Sequence, residues 1–405
     1  MSENEYDPQA VKFRAELDLV LQMHPDFAVW PRDWRDRASY DYAYLKGQVL
    51  VADRDLDRVT RLLDGAEVID RLPIGVNVLQ GRDDDIQDML HLADGELGQG
   101  VVTPNHVLTI CPRGGMCPAT EPAPPPTMTP WPTVASTAEG SGVRVAVVDT
   151  GFLKERYDTA WLAGVIADDP DDIEIADSWP SGPDGFIDPY AGHGTFIAGV
   201  IRCIAPGTEV SVEQVIDQAG VVSEADLIRQ LNDALAKTPD VISFSAGCYT
   251  RNNLPPKGFV EFYAKRLRHH KGVVLVAAAG NDSTAKPFWP AAFPWAVSVG
   301  SLDAGGRDRS SFSNHGGWVD VYAPGEHLVN AYATGDYQSV VPPNGITHFE
   351  GMCEWSGTSF STPVVAGLIA ARMARAGENG QRAAHQLLKA ARIQAIPGVG
   401  PRLWF

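Results

Sequence analysis

Cysteine is scarce: Cys111, Cys117, Cys203, Cys248 and Cys353 are the five in 405 residues. An odd and small number excludes a disulfide framework as the source of stability and fits a reducing compartment. Cationic side chains are also short, with 33 Lys and Arg against 51 Asp and Glu, a net charge of −18. That deficit excludes a nucleic-acid backbone as the main partner, because phosphate binding needs a basic surface. It equally disfavours an anionic membrane surface. No apolar run approaches the ~20 residues of a transmembrane helix. The opening stretch, MSENEYDPQAVKFRAELD, has no basic segment followed by an apolar one, so no secretory signal is expected. These absences together lead to the expectation of a soluble, cytoplasmic protein.

What is present is ordinary globular material, 44% hydrophobic and 21% charged, in a chain long enough for two or three domains and a large core. The charge is uneven: residues 1–110 hold 21 acidic and 11 basic side chains, so over half of the excess lies in the first quarter. Residues 1–42 read as a helical extension, with Val11, Leu17, Val20 and Leu21 at helical spacing over 8–24. Residues 43–110 read as strand (45–51), helix (53–64), strand (67–72), strand (74–78), helix (84–92) and strand (101–110), the split βαβ plan of a small α+β domain. Residues 111–140 form a Pro-rich linker, extended and stiff. Cys111 and Cys117 within it have no second Cys or His pair at finger-like spacing, so they read as reduced thiols rather than metal ligands. From residue 141 to 405, apolar runs such as Val143–Val148, Val241–Phe244 and Val273–Ala278 alternate with helical stretches. Strands that apolar are buried on both faces, which implies a mostly parallel α/β sheet with helices on each side.

Four segments of that last region carry possible chemistry. VAVVDTG brings Asp149 to the end of an apolar strand, where ligands gather in open α/β sheets. GHGTFIAG places His193 between glycines at a helix start, and VAAAGND ends a strand at Gly280 and Asn281. GTSFSTPVVAG sets Ser359 ahead of a helical run. Singly, each has an ordinary structural reading: a turn-capping Asp, an exposed His, an Asn in a turn, an N-cap Ser. Jointly they offer an acid, a base, an amide donor and a hydroxyl nucleophile in the order Asp149, His193, Asn281, Ser359. Asp…His…Ser is one of the chain orders in which serine triads occur.

With these motifs, residues from about 141 to 376 resemble the catalytic domain of subtilisin-like serine peptidases, as do Trp289–Asp303 and Phe312–Gly325. The resemblance implies peptide-bond hydrolysis through an acyl-enzyme. Asp149, His193 and Ser359 would form the triad and Asn281 would donate to the oxyanion. It further implies Ser245, Ala246 and Gly247 as a substrate-binding strand, and Ala278, Ala279 and Gly280 as the lining of the primary pocket. Asp282 would stand at that pocket's mouth, a reason to expect some preference for basic side chains there. Residues 45–110, ending in VTPNHVLTI, resemble the family's inhibitory prodomain. The implied partners are a protein or peptide substrate and the chain's own N-terminal domain as inhibitor, with cleavage expected between about Cys111 and Trp131.

Two departures from the family, and one acidic segment, stand out. GVIRCIAPGTEV after His193 is too short for the Asn-rich calcium loop of many secreted members, so no metal or other cofactor is assigned. Phe360 follows Ser359 where a small residue is usual, which bears on packing. Asp168–Asp188 holds eight carboxylates and no Lys or Arg, and reads as a solvated acidic loop that could also steer cationic substrates or hold a cation. Two other functions remain open at this point: a non-catalytic peptide-binding module on the same scaffold, and a processing protease dedicated to one peptide partner.

Overall fold

The computed structural model describes residues 8–34, 39–110, 119–136, 139–156, 159–167, 169–178, 183–341 and 343–404. Cys111, Cys117, Asp168 and much of the expected cleavage region lie outside them. At its centre is a seven-stranded parallel sheet, in the order Val321–Pro324, Ala296–Leu302, Val274–Ala278, Val241–Phe244, Arg144–Asp149, Glu209–Gln214, Val165–Ile166. Both faces are covered, as the apolar runs require. Val145 and Val147 join the core under the helices His193–Ile204 and Thr358–Ala376. The alternate residues Ala146 and Val148 face Leu227, Ile228 and Leu231 of Glu224–Ala236, and Phe259 and Phe262 of Lys257–Lys265. Side chains of a strand alternate between faces, so Asp149 emerges on the face of Val145 and Val147, beneath the His193 helix.

The N-terminal domain is an antiparallel sheet, ordered Glu67–Leu72, Val76–Gln80, Tyr42–Ala52, Val102–Thr109, with helices at Leu56–Leu62 and Gln87–Leu97. The helix expected at 8–24 runs from Pro8 to Met23 and buries Phe13, Leu17 and Val20. The stretch read as a helical extension also contains a strand, Phe27–Trp30, paired antiparallel with Tyr42–Leu45; four residues are too few for their period to show. Pro104 does not break the last strand. It lies opposite Val49, where the register with the neighbouring strand shifts and a missing N–H is tolerated.

That last strand is buried at every position because it has neighbours on both edges. On its far side it pairs antiparallel with Val221–Ser223 of the larger domain, Leu108 facing Val222. The Asn105 side chain accepts from the Ala225 N–H at 3.1 Å, at the head of helix Glu224–Ala236. His106 Nδ1 lies 2.9 Å from Glu224 Oε2, both side chains being buried. Around this centre, ion pairs cross the seam: Arg251–Asp94 at 2.5 Å, Arg54–Glu261 at 2.7 Å, His24–Asp217 at 2.7 Å, and Arg229 with Asp70 and Lys286 with Asp41. The linker, where described, is laid on the catalytic domain rather than held away from it. Ala123 pairs with Glu354 and Trp131 with Val329, and Glu121 accepts from the Tyr337 and Ser339 hydroxyls and the Val340 N–H. Among the described residues no helix is long and apolar enough to cross a membrane.

His106→Ala removes one partner of the buried cross-domain contact. Urea unfolding of the full chain should lose about 1–3 kcal/mol, the usual cost of stranding one side of a buried hydrogen bond.

Candidate active site

Asp149 and His193 meet because the strand ends where the next helix begins. His193 Nδ1 stands 2.6 Å from Asp149 Oδ1, with both side chains fully buried. Asp149 Oδ1 also accepts the Thr150 N–H at 2.8 Å, and Thr150 Oγ1 accepts the Gly194 N–H at 3.1 Å. Two glycines are needed for so close an approach. Gly192 has φ of +81°, and a Cβ on Gly194 would lie 2.4 Å from the Gly151 carbonyl oxygen. With Nδ1 donating to Asp149, Nε2 is left as the basic nitrogen; it makes no hydrogen bond to the described residues.

The first three residues of helix Thr358–Ala376 gather the other motif residues. Thr358 holds Asn281: Asn281 Oδ1 accepts from the Thr358 N–H at 2.9 Å and its hydroxyl at 3.0 Å. The oxygen of that amide is thus held by the protein on the Thr358 side, and Nδ2 is its donor atom. Ser359 is tied to Ser245. Ser245 Oγ donates to the Ser359 carbonyl at 2.8 Å, and Ser359 Oγ donates to the Ser245 carbonyl at 3.4 Å. Phe360 touches His193, with ring centroids 5.4 Å apart, and packs on Phe196 at 4.5 Å and Trp355 at 5.2 Å. The bulky residue beside the serine is thus one wall of an aromatic enclosure around the imidazole, which Trp355 completes edge-on at 5.7 Å.

The remaining sequence candidates fall into two groups. Gly247 exchanges two backbone hydrogen bonds with Thr109 of the N-terminal domain, both 2.9 Å, and Ala246 is buried beside it. Ala278 lies in the core cluster of Tyr249 and Phe288. Ala279 donates to Val299, and its carbonyl accepts from Asn314 Nδ2 at 2.8 Å. Gly280 donates to Thr358 Oγ1 at 3.1 Å. Asp282 differs from the expectation of a free carboxylate at a pocket mouth. Its Oδ2 accepts the Tyr249 hydroxyl, and its N–H is held by Asn314 Oδ1 at 2.9 Å. That carboxylate is engaged within the protein.

The acidic segment also differs from a solvated loop. Asp172, Glu174 and Asp188 are buried. Asp172 accepts the Gln214 N–H at 2.8 Å, Glu174 the Gly192 N–H at 3.0 Å, and Asp188 the Ser178 N–H and hydroxyl at 2.9 and 3.0 Å. Burial pushes the Asp188 carboxyl up to about 6 and lifts Glu174 well above the usual range, with the Asp149 charge adding to the second effect. Among the described residues no group of three or more His, Cys, Asp or Glu could hold a metal ion.

Several site residues escaped the sequence reading. Gly220–Ser223 flanks the end of strand Val102–Thr109 on the side away from Gly247, the Gly220 carbonyl accepting the Ile110 N–H at 3.0 Å. Thr358, Asn314 and Phe288 act through contacts between distant segments, and only the placement of Thr358 beside Ser359 hinted at a role.

Comparison with known proteins extends this picture. The sequence profile of the subtilase family matches residues 140–397. Thermitase of Thermoactinomyces vulgaris is 32% identical over 241 residues, covering 57% of this chain and 75% of thermitase. A thermophilic serine proteinase of Bacillus sp. (strain AK1) is 31% identical over 255 residues, covering 60% of this chain. The chain spans only 55% of that relative's length. Among solved structures, fervidolysin from Fervidobacterium pennivorans, a keratinolytic enzyme related to subtilisin, aligns with a TM-score of 0.61 at 20% identity. It covers 89% of this chain and 60% of its own, a likeness of fold that reaches beyond the profile match into the N-terminal domain.

The Asp188 carboxyl ordinarily titrates near 3.8 and here near 6, so between those values the folded state binds more protons than the unfolded chain. Stability then falls as pH rises through that window. Asp188→Asn, which imitates the protonated form, should flatten the decline in melting temperature from pH 4 to 7.

Proposed function

The chain belongs to the subtilase family, and on that footing we propose that it is a serine endopeptidase working through Asp149, His193, Ser359 and Asn281. The observation that carries this reading is the buried Asp149–His193 pair at 2.6 Å, in one site with a serine at a helix start. His193 Nε2 takes the proton of Ser359 Oγ as the oxygen attacks the scissile carbonyl. Asp149 keeps the imidazole in the Nδ1–H tautomer and stabilises the imidazolium. Asn281 Nδ2 donates to the oxyanion as the carbonyl becomes tetrahedral. His193 then returns the proton to the leaving amine, and water enters by the same route in reverse to free the acyl group.

The N-terminal domain acts in this reading as an inhibitor in cis. Backbone pairing of Thr109 with Gly247, together with the Ile110–Gly220 bond, supports it. A peptide laid as an added strand would use those same groups, so substrate and Thr109 compete for one edge. The Ser359 hydroxyl turned to Ser245 rather than His193 suits such a resting state.

Two experiments test these roles. Ser359→Ala should abolish both peptide hydrolysis and covalent labelling by a fluorophosphonate, while Asn281→Ala keeps the labelling site and loses about 10²–10³ in kcat; full hydrolysis by Ser359→Ala would overturn the assignment. Thr109→Pro deletes the N–H donated to Gly247, and should raise the initial rate of the full chain several-fold. An unchanged rate would count against inhibition by this strand.

A further inference from the structure

The groove's geometry identifies where the substrate side chain next to the scissile bond must go. A peptide replacing the docked strand in the same antiparallel register has one residue opposite Gly247, as Thr109 is. Its residue two positions further on then lies opposite Ser245, whose carbonyl oxygen is 3.4 Å from Ser359 Oγ. That is the residue whose carbonyl is attacked. Beneath it, the segments Ser245–Gly247 and Ala278–Asn281 continue past the C-terminal ends of neighbouring parallel strands, Val241–Phe244 and Val274–Ala278. The space between two such segments is where a parallel sheet receives a ligand.

In this chain that space holds a ring. Phe288 is fully buried. A Cβ on Gly247 would lie 2.4 Å from its Cε1, and a Cβ on Gly280 3.1 Å from its Cδ1, so the ring is in contact with both segments at once. The ring is also held from behind. Tyr249 meets it edge-on at 5.2 Å, and the Tyr249 hydroxyl is fixed by Asn314 at 3.1 Å and by Asp282. The backbone carrying it is fixed as well, since Trp289 and Cys248 exchange hydrogen bonds of 2.9 and 3.0 Å directly beyond Gly247.

We propose that Phe288 fills the primary specificity pocket and restricts the residue before the scissile bond to small side chains such as Ala, Ser, Cys or Gly. The proposal rests on the peptidase reading and adds its substrate class. A close-packed interior leaves no room for a second ring beside a fixed one, and even one excess methylene in a pocket costs roughly 10–200-fold in discrimination. The chain's own sequence agrees: two residues beyond Thr109 stands a small one, Cys111.

The test uses the full chain carrying Thr109→Pro, so that the groove is accessible. Two peptide diphenylphosphonates, identical except for Ala or Phe at the position before the phosphorus, are compared by their rates of covalent attachment to Ser359, with a non-peptidic fluorophosphonate alongside. The Ala probe should react at least about tenfold faster than the Phe probe. Adding Phe288→Ala should shift that ratio toward Phe by at least about tenfold, and Phe288→Leu should shift it in the same direction by less. Equal or faster reaction of the Phe probe with Phe288 in place overturns the proposal. So does an unaltered ratio in the substituted chain that shows a cooperative melt; if Phe288→Ala does not fold, Phe288→Leu and the unsubstituted ratio decide. Failure of the fluorophosphonate to label Ser359 at all overturns the peptidase reading itself, an outcome distinct from labelling with the wrong preference.

Discussion

The site depends on a contact made wholly out of water, the 2.6 Å hydrogen bond between Asp149 and His193. A carboxylate and an imidazole are costly to bury unless each satisfies the other. Here the surroundings make that satisfaction unavoidable. The alternation of Val145, Val147 and Asp149 sets the side of the sheet, and Gly192 and Gly194 let the helix come within reach. Phe196, Trp355 and Phe360 leave the ring no other place. In the proposed mechanism the same enclosure makes the pair effective, since charge–dipole interactions strengthen as water is excluded.

Much of this was legible in the sequence, for a reason that can be stated. Asp149, His193, Asn281 and Ser359 each sit where an element begins or ends, in motifs whose glycines and small residues serve the local backbone. Local chemistry leaves a local mark, and the apolar strands leading to them implied the parallel sheet. Features built between distant segments left none. Val221–Ser223 is too short for a period to show, and its strand partner lies over a hundred residues earlier. Phe288 is one aromatic residue in a coil, meaningful only because Gly247 and Gly280 lie against it. Asp172, Glu174 and Asp188 read as solvated, like the exposed Asp169, Asp171 and Asp184 around them, because their partners include backbone N–H groups, which every residue but proline has.

The negative excess has a comparable history. Over half of it lies in residues 1–110, and part of it is spent at the seam, where Asp41, Asp70 and Asp94 face Lys286, Arg229 and Arg251. The partly exposed pairs Arg229–Asp70 and Lys286–Asp41 orient one domain on the other more than they bind it, since such pairs contribute little. Affinity comes from the buried strand: backbone pairing on both edges, the Asn105 contact and the apolar side chains between them.

The path of the linker has a kinetic consequence. Residues 119–136 are pinned by Ala123, Trp131 and Glu121 to the antiparallel strands Leu328–Gln338 and Ile346–Trp355 and the turn after the first, so only the eight residues 111–118 separate that anchor from the last strand of the N-terminal domain. Fully extended, eight residues reach at most about 28 Å. A released strand therefore stays within that radius of its site, at an effective concentration in the millimolar range for so short a connection. Dilution does not change that number, and rebinding is a first-order event. If the strand inhibits as proposed, a competing peptide is measured against millimolar strand, however little enzyme is present, until the connection is cut or the pairing weakened.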